Sequence, residues 1–208
     1  MLIEFKDLVS KYNMHITGVI HVGAHTGEEA EDYSTHGISN VWWIEGNPGL
    51  MRELARNTTK KYGHNCINAL VTDVDHGERK FNITNINSLS SSVLEFGTHP
   101  SFSPEIHFID HPILETRTID SLVEEYGIKD CNMLNMDLQG AEMMALQGAT
   151  KLLPSIDYVY TEVNTAEVYI GCAKLHEIDA FLSDFDRVET EMQVNGWGDA
   201  LLIRRGLL

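Results

Sequence analysis

Positive charge is scarce in this chain. Only 15 Lys and Arg stand against 31 Asp and Glu in 208 residues, a net charge of −16. A field of that sign disfavours a broad phosphate-binding face, so no nucleic-acid partner is expected and a neutral or cationic substrate suits it better. Cysteine is scarce too. Cys66, Cys131 and Cys172 lie far apart without metal spacing, and an odd number of them without a secretion signal predicts reduced thiols and a cytoplasmic setting. The start of the chain meets charge at Glu4 and Lys6, too early for a signal peptide. No apolar run reaches the roughly 20 residues of a membrane-spanning helix, so a soluble protein without a membrane partner is expected. Neither H-E-x-x-H nor G-x-S-x-G occurs, which speaks against a zinc hydrolase and an α/β-hydrolase, and no metal site is predicted.

What the chain does contain is an alternation of helix and strand periods. Phe5, Leu8, Val9 and Tyr12 have helical spacing over 4–14, as an N-terminal helix within 1–16. A buried strand follows over 17–22, a helix over 28–35, a strand over 41–44, a helix from Pro48 to about Lys61, and a strand over 66–71. Residues 72–117 break the rhythm: one strand over 80–86, then a polar loop over 88–112 that reads as a lid or substrate loop. Regularity returns with a helix over 119–126, a strand over 133–136, a helix over 141–152 closed by Pro154, a strand over 158–163 and a helix over 175–185. Strands over 188–193 and 200–204, joined through Trp197, Gly198 and Asp199, form a terminal hairpin. The pattern predicts a single domain over 1–208 of α/β class, with an open, mostly parallel sheet, helices on both faces and an antiparallel strand at the end.

In such a sheet ligands gather beyond the carboxyl ends of the strands. Four predicted strands end in polar residues: the turn Gly23–Gly27, Glu45, the run Asp137-Leu138-Gln139, and Glu162 with Asn164. Gly23, Ala24 and Gly27 space as G-A-x-x-G, where a dinucleotide site wants G-x-G-x-x-G. The next helix opens on Glu28 and Glu29, which suit its dipole but would repel a pyrophosphate. A nucleoside cofactor without phosphates fits better, and S-adenosylmethionine is the obvious one. Glu45, about twenty residues after the turn, is placed for its ribose hydroxyls. Asp137 and Glu162 are candidates to orient or deprotonate an acceptor hydroxyl; a helix cap or an ion pair is the alternative for either. His99, His107 and His111 fall in the long loop, beside Ser90, Ser91 and Ser92.

Taken in order, these motifs resemble class I S-adenosylmethionine-dependent methyltransferases, and specifically the FkbM family. The resemblance covers 17–205 and rests on the stretches 19–27, 44–48, 118–122 and 198–201, the serine cluster at 90–92, and above all 134–142, Leu-Asn-Met-Asp-Leu-Gln-Gly-Ala-Glu, with 146–149 behind it. It implies a Rossmann-like, seven-stranded sheet and methyl transfer from S-adenosylmethionine to a hydroxyl of a sugar, glycan or small natural product. It implies cofactor contacts from Gly23, Ala24, Gly27 and Glu45, with Asp137 near the methionine end; His25, Thr26 and Leu138, in the same two turns, are expected to join them. Acceptor contacts are expected from Ser91, Ser92, His107, Gln139 and Asn164. His21 stands where the family often has aspartate, His25 where asparagine is common, and Gln139 where glutamate is frequent. Two alternatives remain at this stage: a nicotinamide-dependent oxidoreductase, and a cofactor-binding interaction module without catalysis. Oligomeric state is not legible.

Overall fold

The computed structural model describes residues 2–207. Its main sheet has seven strands in the order β11-β12-β10-β9-β1-β2-β3. These are β1 (Val19–Val22), β2 (Val41–Glu45), β3 (Asn65–Asn68), β9 (Met133–Met136), β10 (Tyr158–Asn164), β11 (Phe185–Met192) and β12 (Trp197–Arg204). Only β12 runs against its neighbours β10 and β11. β1, β9 and β10 are buried along their whole length, as expected of central strands covered on both faces. On one face lie α1 (Phe5–Tyr12), α2 (Ala30–Thr35) and α3 (Met51–Asn57), which bury Phe5, Leu8, Tyr33 and Leu54 against Val19, Val41 and Trp43. On the other lie α5 (Ile119–Tyr126), α6 (Glu142–Gln147) and α7 (Leu175–Phe181), which bury Ile119, Leu122, Leu146 and Ile178 against Ile20, Leu134 and Val159. Strand order reverses between β1 and β9, so a crevice opens at their carboxyl ends.

The middle of the chain departs from the sequence expectation. The strand predicted over 66–71 is two strands in different sheets. β3 stays beside β2, while β4 (Leu70–Val71) leaves to pair with β8 (Ile113–Arg117), a strand the sequence reading missed. The break falls at Ala69, where Ala69 N and the Asn68 side chain both donate to the Glu45 carbonyl, at 3.0 and 2.7 Å, and turn the chain out of the sheet. The strand predicted over 80–86 is likewise divided: β5 (Gly77–Lys80) pairs with β8, and β6 (Ile83–Thr84) with β7 (Phe108–Asp110). The predicted loop 88–112 therefore contains β7, as well as a 3-10 turn at His99–Ser101.

Elsewhere the corrections are smaller. The helix predicted over 48–61 breaks at Thr58, whose hydroxyl bonds back to Leu54 O at 2.7 Å, leaving α3 and the short α4 (Thr59–Tyr62). The helices predicted over 28–35, 141–152 and 175–185 are shorter than their patterns, and Pro154 lies in a 3-10 turn of its own. Trp197, Gly198 and Asp199 are not the hairpin connector but the start of β12. The turn is at 193–196, closed by Gln193 N donating to Trp197 O at 2.7 Å.

Candidate active site

The turn after β1 is held by the end of β2. Gly23 N and Ala24 N both donate to Ile44 O, at 2.9 and 3.1 Å. Gly23 has φ +81°, and a Cβ there would stand 1.8 Å from Asp137 O, so no side chain fits between β1 and β9 at this level. His25 N donates to Glu45 Oε2 at 2.9 Å, and Asn47 N to Oε1 at 2.6 Å. Glu45 is thereby fixed at the rim with its remaining lone pairs free for a ligand. Burial raises its pKa, and the two backbone N–H groups oppose that shift.

Around this turn lies a cavity of about 270 Å³. Ala24, Glu45, Leu70, Phe81 and Leu138 are among its walls, with His21 and Asp137 at the strand ends. Glu28 and Glu29 also face it, and no Lys or Arg does. His21 is buried, stacks on Trp43 with ring centroids 4.7 Å apart, and pairs through Nδ1 with Tyr33 OH at 3.1 Å. Burial lowers its pKa, so this ring is neutral.

A second cavity of about 400 Å³ adjoins the first, and Leu89, Asp137, Gln139 and Asp199 line both. Its other walls include Glu162, Tyr169, His99, Phe102 and Trp197, again without Lys or Arg. Gln139 is the hinge of the shared wall, at φ +54°. Its Nε2 donates to Asp137 Oδ1 at 2.6 Å and to Glu162 Oε2 at 2.8 Å, and its Oε1 accepts from Tyr169 OH at 2.7 Å. Burial pushes Asp137 up to about 6 and Glu142, behind the wall, up to about 7. Glu162 is held well above the usual carboxylate range, by burial first and then by the carboxylates of Asp137, Glu142 and Asp199.

The segment 85–92 crosses the first cavity and is tied down at two points. His25 Nε2 meets Asn87 O at 2.6 Å while its Nδ1 meets Glu28 Oε1 at 2.6 Å. Asn47 Nδ2 donates to Ser88 Oγ at 3.0 Å. The carboxylate of Glu28 holds the His25 ring protonated, to about 9.

Of the residues singled out by sequence, Gly23, Ala24, His25, Glu45, Asp137 and Leu138 line the first cavity. Ser91 and Ser92 line it too, rather than the second cavity where an acceptor contact would be expected. Gln139 and Glu162 stand at the second. Gly27 instead packs under Leu54 and Thr58, and Thr26 Oγ1 donates to Glu28 at 2.7 Å, both outside the cavity walls. Asn164 is buried at the end of β10, outside both cavities. His107 is exposed, its Nδ1 on Glu105 O at 3.2 Å. Sequence reasoning missed Phe81, Tyr160, Tyr169 and Asp199. Asp199 was within reach, since strand register sets it opposite Glu162. Its carboxylate accepts from Tyr160 OH at 2.5 Å and from Leu2 N at 2.6 Å.

The first cavity suits a cationic nucleoside. A glycine cradle that a Cβ would fill, the buried Glu45 at the end of β2 and carboxylates without cations match S-adenosylmethionine, and they oppose a pyrophosphate. Among the described residues no group of three or more His, Cys, Asp or Glu could hold a metal ion, and no helix is long and apolar enough to cross a membrane.

Known proteins with similar sequence or fold are methyltransferases. The 2-O-methyltransferase NoeI of Sinorhizobium fredii (strain NBRC 101917 / NGR234) is 34% identical over 101 residues, 48% of this chain and 41% of that protein. The chain thus spans less than half the length of that curated relative. Two solved structures share the fold at 8% identity. Magnesium protoporphyrin IX methyltransferase (ChlM) from Synechocystis PCC 6803, with bound S-adenosylmethionine, has a TM-score of 0.52 over 96% of this chain and 77% of that one. TehB from Haemophilus influenzae has a TM-score of 0.53 over 98% and 63%. A family model described as the methyltransferase FkbM domain matches residues 21–189. With that match running from His21 in β1 to Glu189 in β11, the chain belongs to the FkbM methyltransferase family.

Proposed function

We propose that this protein transfers the methyl group of S-adenosylmethionine to a hydroxyl of an uncharged acceptor, a sugar, glycan or small natural product. The observation that carries the reading is the pair of adjoining cavities whose shared wall is Asp137 and Gln139. The 2-O-methyltransferase name of the NoeI relative supports a hydroxyl acceptor. When bound, S-adenosylmethionine supplies an electrophilic methyl group on a positively charged sulfur.

Every other part belongs to the chain. Gly23 and Ala24 let the backbone approach the cofactor, and Glu45 accepts its ribose hydroxyls. Asp137 faces the sulfonium side with negative charge. Glu162, bridged to Asp137 through Gln139, orients the acceptor from the other side. Trp197 and Phe102 give the second cavity flat apolar faces, and its carboxylates exclude anionic acceptors. Holding nucleophile and methyl in line supplies much of the rate.

Calorimetry with S-adenosylmethionine and with NAD tests the cofactor assignment. Binding of the first alone is expected, and Glu45→Gln should weaken it about 10- to 100-fold, the worth of hydrogen bonds to a charged group. Unchanged affinity in that variant removes Glu45 from the ribose site, and binding of NAD alone overturns the reading.

A further inference from the structure

The wall between the two cavities sets two carboxyl groups side by side. Asp137 follows β9, and Glu162 lies in the neighbouring strand β10. A single nitrogen, Gln139 Nε2, holds an oxygen of each, at 2.6 and 2.8 Å, while Tyr169 OH fixes the other end of that amide. The two carboxyl groups are also within hydrogen-bonding reach of one another. Two ionised carboxylates cannot make that contact, but two that share a proton do. No cation of the chain balances them. Among the described residues, the walls of both cavities hold no Lys or Arg, and Glu28, Glu29, Glu45 and Asp199 add further acids. Glu142 stands behind the wall on α6. His25 is positive but paired with Glu28, His21 and His99 are neutral, and Tyr160 and Tyr169 complete the titratable neighbours. The positive charge that faces the pair is therefore the ligand's own.

We propose that Asp137 and Glu162 work as one proton-sharing pair, which holds its proton more strongly when the cofactor's sulfur is neutral than when it is a sulfonium. The inference rests on reading the first cavity as the S-adenosylmethionine site, with the sulfonium toward Asp137. A cation beside the pair favours two carboxylates, and without it their repulsion favours keeping one proton. Methyl transfer removes that cation. The acceptor oxygen bonds to the methyl carbon, the sulfur–methyl bond breaks with its electron pair left on sulfur, and the hydroxyl gives up its proton. As sulfur loses its charge the pair gains a proton, so wall and cofactor together keep the same net charge. Burial raises both groups, Asp137 to about 6 against the Gln139 hydrogen bond, which brings the change of proton count close to neutral pH.

Calorimetry in two buffers of different ionisation enthalpy reads the proton count without any acceptor. At about pH 6.5, below the α-amino range, binding of S-adenosylhomocysteine should take up more protons than binding of S-adenosylmethionine, by about 0.3 to 1. The preference for S-adenosylmethionine should then grow with pH, by at most about tenfold per unit. Equal proton counts for the two ligands overturn the proposal. Difference infrared spectroscopy locates the proton. Exchanging S-adenosylmethionine for its product should add a protonated-carboxyl stretch in the unmodified protein, and both Asp137→Asn and Glu162→Gln should abolish it. A stretch that survives Glu162→Gln means that Asp137 titrates alone, and it overturns the pair. The unmodified protein decides even where a variant binds neither ligand. If the unmodified protein itself binds neither, or binds NAD alone, the cofactor reading fails instead.

Discussion

At the scale of single residues, the backbone decides more than the side chains. Gly23 and Gly37 have nearly the same φ, +81° and +75°, but a Cβ at Gly23 would meet Asp137 O at 1.8 Å while one at Gly37 meets nothing within 4 Å. Urea denaturation should separate conformation from space. Gly37→Ala is expected to cost about 1 kcal/mol, the left-handed penalty alone. Gly23→Ala adds overpacking against backbone and should cost roughly 3 kcal/mol or more. Equal losses would mean that β9 yields and that the cradle is not rigid. The placement of Gly23, Glu45 and Asp137 is legible in the sequence, because each follows an apolar strand that the fold must bury and so emerges at the same rim. That of His107 and His99 is not. Both belong to one polar loop, and only the anchoring of 97–98 to 167–168 puts one ring inside and leaves the other in solvent.

At the scale of elements, the latch over the first cavity is a pH-dependent device. The His25 ring serves Glu28 and Asn87 O together only when both nitrogens carry protons. Its pKa is raised from 6.5 to about 9, chiefly by the hydrogen bond to Glu28. A raised folded value means that the contribution is fully present below 6.5 and is lost as pH rises through about 9. Glu28 has the opposite sign. Burial alone would raise it, but the hydrogen bonds from His25 and Thr26 outweigh that and lower it to about 2, so acid releases the latch only near that value. Hydrogen exchange of 85–92, corrected for intrinsic rates, should therefore accelerate above neutral pH in the unmodified protein and stay flat in His25→Asn. Equal profiles would assign the order of this segment to Asn47 and Ser88 instead. The central strands and the helices α1 and α5 are legible from period alone. β4 and β8 are not, because a two-residue strand carries no period and the exposed Ile113 and Glu115 disguise the other.

At the scale of the whole molecule, buried carboxyl groups tie stability to pH. Burial raises Asp137 to about 6 and Glu142 to about 7, and lifts Glu162 as well, all above their unfolded values. The folded state then binds more protons than the unfolded chain, so stability falls as pH rises through this window. Below 6.5 the buried rings of His21, His64 and His99, with lowered pKa values, pull the other way. Thermal melting should accordingly drop as pH rises through about 6 to about 7, where Asp137 and Glu142 lose their protons, and Glu142→Gln should flatten the decline. A variant with the same slope would place the uncompensated charge elsewhere. The departure of the chain from the main sheet at Ala69 has a consequence of another kind. From Leu70 to Arg117 it forms an appendage with its own small sheets, returning to the core beside the point where it left. That appendage supplies Phe81, Leu89 and Ser91 to one chamber and Ser90, His99 and Phe102 to the other. If the second chamber takes the acceptor, an exchange of these residues should change which molecule is taken while the seven strands stay as they are.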